Sequence, residues 1–283
     1  MTEGLAFEAF EVTLNGVELY FEVAGPADAT HTLIYLHGLG YNSYSFREVV
    51  GEALQSYRVV YLDQRGCGRS APLEADPKLF TIDALVDDIE AVRAHLDLRS
   101  FTPVGHGFGA VLALEYARRF PRFADGVIAV SPWVHFPELS QQLLESASRL
   151  SERDANDPGG NEARAELAFS LREDLLSVLH FPYPQARLHL EFVDSESGLY
   201  ASGTAQETLA YNGLWDLEYP QYFPEITARV GCIAGELDPT SYPAQTDWLV
   251  DLLGAELEVL PGGHYVWLED TDAFVAALER LLP

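Results

Sequence analysis

Three short segments carry the residues able to do chemistry. Val104-Gly105-His106-Gly107-Phe108-Gly109-Ala110 joins an apolar strand to an apolar helix, Gly235-Glu236-Leu237-Asp238 follows a later strand, and Gly262-Gly263-His264 follows the last one. Glycines two positions either side of residue 107 let a strand turn sharply into a helix. Such a turn thrusts its central side chain above the sheet, beside the helix amino terminus. The motif ordinarily reads Gly-x-Ser-x-Gly. Here the centre is Gly107, which has no hydroxyl to attack a carbonyl but tolerates the bent backbone better than serine does. An acid and then a histidine past the carboxyl ends of late strands is the order of an orienting acid and a general base. That order assigns those roles to Asp238 and His264. His37-Gly38-Leu39-Gly40 follows an earlier strand, so the backbone N–H groups of Leu39 and Phe108 form the natural pair for an oxyanion hole.

Each feature also has a plainer explanation. A glycine-rich strand-to-helix turn can cradle a phosphate, but the spacing matches neither nucleotide fingerprint and no basic residue follows. Outside this pattern, His264 would read as an ordinary surface histidine. A metal centre from His37, His106 and His264 lacks a carboxylate at close ligand spacing, so neither metal nor cofactor is expected. Ser131, just past the next strand, is the alternative nucleophile. Cys67 and Tyr265 are weaker candidates for which packing is the simpler account.

The elements that must position these residues alternate. Glu11–Leu14 and Val17–Tyr20 flank an Asn-Gly turn and read as a hairpin. Thr32–Leu36, Tyr57–Leu62, Phe101–Gly105, Gly126–Val130, Val230–Ala234 and Glu256–Leu260 read as strands, although Pro103 withholds a ladder donor. A crossover helix is expected from about Ser45. Another follows the cap Thr81, where Ile82, Leu85, Val86, Ile89, Val92 and Leu96 recur at threes and fours. Gly109–Phe120 and Ala273–Leu282 complete the set. Repeated strand–helix–strand units imply a mostly parallel sheet with right-handed crossovers. Between Ser131 and about Pro224 the rhythm breaks into short helical patterns with a late cluster of aromatics.

The 283 residues carry 44 acidic and 17 basic side chains, a formal charge of −27. Such a surface repels nucleic acid and anionic membranes. No apolar run is long enough to span a bilayer, and Met1–Phe10 lacks the features of a secretory signal. A soluble, cytoplasmic protein is the simplest expectation. Two cysteines, Cys67 and Cys232, are too few for a disulfide framework.

With these motifs assembled, the chain resembles the α/β-hydrolase superfamily, and more narrowly the proline iminopeptidases. Tyr61-Leu62-Asp63-Gln64-Arg65-Gly66-Cys67-Gly68-Arg69-Ser70 is similar to that family's signature after its fourth strand. His37-Gly38-Leu39-Gly40 is similar to its His-Gly-Gly-Pro-Gly, departing at Leu39 and Gly40. The resemblance implies an α/β-hydrolase core at 1–131 and 225–283 with a helical lid at 132–224. It implies Asp238 and His264 as triad acid and base, Leu39 and Phe108 as oxyanion donors, and Gly107 where the family has its serine. Lid carboxylates bind the substrate's amino terminus in that family. Glu191, Asp194, Glu196, Asp216 and Glu218, with Trp215, are the candidates here, against the reading of a solvated acidic face.

Several functions are compatible with Gly107. One is weak hydrolysis of a small ester or amide by water activated through His264 and Asp238. Another is a catalytically silent protein that binds or senses a small molecule or short peptide. A third is a serine aminopeptidase or esterase altered to glycine at residue 107, and a fourth is cofactor-free acid–base chemistry. Oligomeric state is left open.

Overall fold

The computed structural model describes residues 6–283. Met1–Leu5, the first half of the stretch read above for a leader, lie outside the described residues. Eight strands form one sheet: β1 (Phe7–Leu14), β2 (Val17–Ala24), β3 (Thr32–Leu36), β4 (Arg58–Asp63), β5 (Thr102–His106), β6 (Val127–Val130), β7 (Val230–Gly235) and β8 (Glu256–Leu260). Their spatial order is β1-β2-β4-β3-β5-β6-β7-β8. The first two pairings, β1 with β2 and β2 with β4, are antiparallel, and every pairing after them is parallel. The Asn-Gly turn joins β1 to β2 with Asn15 at φ +50° and Gly16 at φ +77°. Both signs suit the right-handed twist of a hairpin.

Pro103 lies inside β5, opposite Ile34 of β3, while pairing with β6 begins one residue later at Val104. A proline near the start of a strand, ahead of one of its two ladders, loses little. On the faces of the sheet pack α1 (Tyr44–Val50), α2 (Ile82–His95) and α3 (Gly109–Arg119). Thr81 Oγ1 accepts from the Ala84 N–H at 3.1 Å, capping α2 as its sequence predicts. All strand-length segments between β3 and β8 are buried or nearly so except at the β8 edge, as continuous apolar runs in a two-sided sheet require.

Between β6 and β7 lies an inserted helical lid region: α4 (Phe136–Ser151), α5 (Asn161–Leu171), α6 (Leu175–His180), α7 (Pro184–Ser197) and α8 (Gly203–Tyr211), then two short 3-10 turns. After β7 come α9 (Ala244–Leu253), α10 (Val266–Glu269) and α11 (Thr271–Leu281). The periodicity read from the sequence located α11 but not α9 or the single-turn α10. No helix among the described residues is long and apolar enough to cross a membrane.

Candidate active site

The site gathers where parallel strands end. β5 runs into Gly107 and Phe108, and α3 starts at once. Packing explains the outer glycines. A Cβ at Gly105 would lie 2.1 Å from the Gly109 carbonyl oxygen, and one at Gly109 would lie 2.2 Å from that of Leu36. Neither position accepts a side chain without moving backbone. Gly107 differs: its φ is +56°, yet a Cβ there would meet nothing nearer than His264 Nε2 at 3.4 Å and Gly38 Cα at 3.9 Å. Those are ordinary contact distances. A side chain on residue 107 would point at the imidazole.

That imidazole is held firmly. His264 Nδ1 lies 2.7 Å from Asp238 Oδ2, and Asp238 Oδ1 accepts from the Thr240 N–H at 2.9 Å and hydroxyl at 2.6 Å. The His264 N–H donates to the His180 carbonyl at 3.0 Å, while His106 Nε2 donates to the His264 carbonyl, also at 3.0 Å. Burial pulls the His264 imidazole from its ordinary 6.5 to about 3, so it stays neutral with a free lone pair. Burial pushes the Asp238 carboxyl upward, against the two Thr240 donors that favour its charged form. A neutral imidazole oriented by an acid has the lone pair a general base uses, while burial this deep also lowers its basicity.

Two amides belong to residues that line the same space. Among the described residues neither the Leu39 nor the Phe108 N–H has a protein acceptor, although Phe108 is fully buried. Buried N–H groups are rarely left without a partner, and both residues line the cavity that also contains Gly107 and His264.

The loop carrying Leu39 is fixed by the Asp63–Ser70 stretch. Gln64 donates from its backbone N–H to His37 Nε2 at 3.0 Å and from its side chain to the His37 carbonyl at 2.8 Å. Asp63 accepts from Ser43 (N–H and hydroxyl, both 2.7 Å) and from Arg69 (N–H at 2.9 Å, Nε at 2.8 Å). Arg65 makes two 2.7 Å bonds to the buried Asp88. Burial would raise the Asp63 carboxyl, but the Arg69 guanidinium holds it below the usual range. Cys67, within this knot, is buried and its thiol is pushed up to about 12, which leaves no thiolate.

The cavity measures about 510 Å3 and is roofed by the lid. Leu139, Leu143, Phe169, Leu176 and Trp215 give it an apolar wall; among the described residues Glu207, at its exposed rim, is the one carboxylate that lines it. The other lid carboxylates singled out from the sequence lie elsewhere. Asp194 accepts hydrogen bonds from Tyr41 and Ser45, tying α7 to the core. Glu191 pairs with Arg187 at 2.7 Å on an exposed helix face, and Glu196 is exposed. Asp216 accepts from Asn161 at 2.8 Å, and exposed Glu218 stands 4.0 Å from His135. None of these five lines the cavity, because helical phase turns them outward or spends them on the core. Ser131 does not line it either; its N–H bonds the Ile233 carbonyl at 2.8 Å and its buried hydroxyl has no protein partner.

Sequence reading missed Trp133, His180 and Glu207. The His180 ring stacks on His264 at 4.1 Å with the planes 15° apart, and Trp133 leans on His264 from 5.2 Å. Ligand atoms of His180, Asp238 and His264 all fall within 4.8 Å of one another. Near-parallel rings send their in-plane lone pairs side by side, not toward a common point, which is poor geometry for an ion. A histidine just before Phe181-Pro182 gave only the signal of a helix end.

The α/β-hydrolase fold model matches residues 31–271. The chain belongs to the α/β-hydrolase fold family. This α/β hydrolase is 35% identical to a proline iminopeptidase of Lactobacillus helveticus, over 94% of the chain and 95% of that relative. Among solved structures it is similar to a proline iminopeptidase-related protein of Thermus thermophilus. There the TM-score is 0.88 and the identity 38%, with 99% of each chain covered. The proline iminopeptidase of Mycobacterium smegmatis shares the fold at a TM-score of 0.75 and 22% identity, with 97% of each chain covered. The hydrolase is thus closely related to proline-iminopeptidase-like enzymes.

Proposed function

We propose that this hydrolase-fold protein binds a small, apolar ester, amide or short peptide and hydrolyses it slowly, without a covalent intermediate. One observation carries the reading: His264 Nε2 lies 3.4 Å from where a residue-107 Cβ would sit, with two unpartnered amides on the same cavity wall. His264, oriented by Asp238, takes a proton from water as the water attacks the substrate carbonyl. The Leu39 and Phe108 N–H groups hold the developing oxyanion. The imidazolium formed is balanced by the Asp238 carboxylate and then protonates the leaving group. Removing the nucleophile from such a frame leaves catalysis by the oxyanion hole and binding alone, orders of magnitude below the intact machinery. Activated esters suit this site better than amides.

Relatives named as proline iminopeptidases support a substrate with a free amino terminus, and Glu207, which lines the cavity, is the carboxylate that would receive it. The glycine itself favours a second reading, a protein that binds such a ligand without turning it over. Turnover of p-nitrophenyl esters and amino-terminal p-nitroanilides by the natural protein and by His264→Ala separates the two. A His264-dependent rate supports hydrolysis. Saturable ligand binding with equal background rates in both proteins supports binding alone.

A further inference from the structure

In a serine hydrolase frame the base is occupied by the nucleophile's hydroxyl. Here nothing intervenes. His264 Nε2 has no hydrogen-bond partner among the described residues, and residue 107 places no atom between it and the cavity. A neutral base, two free N–H donors for a carbonyl oxygen and an apolar wall that limits water are also the parts needed to make an enolate. The requirements differ from hydrolysis in one respect: no leaving group and no attacking water are needed.

We propose that the cavity catalyses proton abstraction from carbon adjacent to a carbonyl, with apolar ketones as its substrate class. The proposal rests on the same assignment of His264 as base and of the Leu39 and Phe108 amides as oxygen donors. The C–H bond breaks and its proton passes to His264 Nε2. The electron pair forms the carbon–carbon double bond as the carbonyl π pair moves onto oxygen, where the two N–H groups receive it. The imidazolium N–H exchanges with solvent, and return of a proton (a deuteron in deuterium oxide) from Nε2 to carbon restores the ketone, so no oxidant, reductant or co-substrate enters. The charge created on the imidazole faces Asp238 at 2.7 Å. Phe169, Leu176 and Trp215 offer the ketone's apolar body a matching surface. A serine at residue 107 would end this arrangement, because its hydroxyl would take the Nε2 lone pair and stand between base and carbon.

The test is hydrogen–deuterium exchange at phenylacetone, which has an activated methylene and nothing to hydrolyse. In deuterium oxide, loss of the methylene proton signal is followed by NMR for the natural protein, His264→Ala and Gly107→Ser. Circular dichroism checks that each is folded. Exchange by the natural protein should exceed that of His264→Ala by about a hundredfold, the lower range for a positioned general base. Gly107→Ser should lose most of that exchange while gaining ester hydrolysis. Exchange no faster than with His264→Ala, or undiminished in Gly107→Ser, overturns the proposal. If exchange is absent but ester turnover depends on His264, the hydrolytic reading stands and this one falls. If exchange depends on His264 while no variant cleaves esters, the reverse holds.

Discussion

Two loops at the carboxyl edge of the same sheet treat their polar groups in opposite ways. In Asp63–Ser70 the charged side chains are turned inward and paired: Asp63 with Arg69 and Ser43, Arg65 with Asp88, Gln64 with His37. At Gly105–Gly109 the flanking glycines press against backbone, yet the Phe108 amide has no protein acceptor and Gly107 opens on the cavity. The first loop is scaffolding that holds His37, Gly38 and Leu39 in place. The second leaves binding capacity unspent. Both loops carry the family resemblance, so resemblance alone does not tell a reactive loop from its support. Hydrogen-bond accounting does.

Substitutions in the two loops should have different consequences. The largest change expected is a gain. Gly107→Ser should raise ester turnover by about a thousandfold or more, judged from what removing a nucleophile costs serine hydrolases. The same change should lower stability by about 1–2 kcal/mol, since an L side chain would occupy a left-handed backbone. Steady-state kinetics and chemical denaturation read the two effects. Gly105→Ala should be far more disruptive than Gly107→Ala despite its ordinary φ, because its methyl meets the Gly109 carbonyl at 2.1 Å.

In the scaffolding loop, Asp63→Asn should cost about 1–3 kcal/mol, the range for leaving buried donors short of an acceptor, since Arg69 keeps its 2.6 Å pair with Glu22. A urea midpoint that barely moves would refute the role given to that loop.

Acid brings a separate effect. His37, His106, His180 and His264 all have imidazoles lowered by burial, His106 and His264 to about 3. The unfolded chain therefore binds protons there that the folded chain refuses, and their contribution to stability falls as pH drops from the ordinary histidine value of 6.5 toward 3. Buried Asp238 and half-buried Glu269, whose carboxyls are raised, act in the opposite sense and soften the slope. His180→Leu should flatten it by about 1.4 kcal/mol per pH unit. Denaturation series at several pH values measure this directly.

The mildest contrast lies in the lid. Glu207→Gln, at the exposed rim of the cavity, should weaken substrates that carry a free amine by about two- to fivefold in KM, the range of a solvent-exposed ion pair. Glu196→Gln, on an exposed face, should change nothing measurable.

The core was legible because local patterns there answer to one constraint each. Apolar runs mark buried strands, Thr81 caps α2, and glycines at 105 and 109 mark backbone in contact with backbone. The positions of Asp238 and His264 at strand ends followed from order alone. The lid was not legible at the level of side chains. Asp194 and Glu207 are both acids on lid helices, and only tertiary packing sends one to Tyr41 and Ser45 and the other to the cavity. His180 escaped notice for the same reason, since its contact with His264 spans two distant segments that no spacing rule relates.

The central claim is that residue 107 faces a base and an oxyanion site that are otherwise complete. Intact-mass analysis of Gly107→Ser after brief exposure to p-nitrophenyl acetate tests it most directly. The account predicts a gain of one acetyl group, absent when His264→Ala is added. A folded variant that releases no p-nitrophenol above background and gains no mass would contradict it.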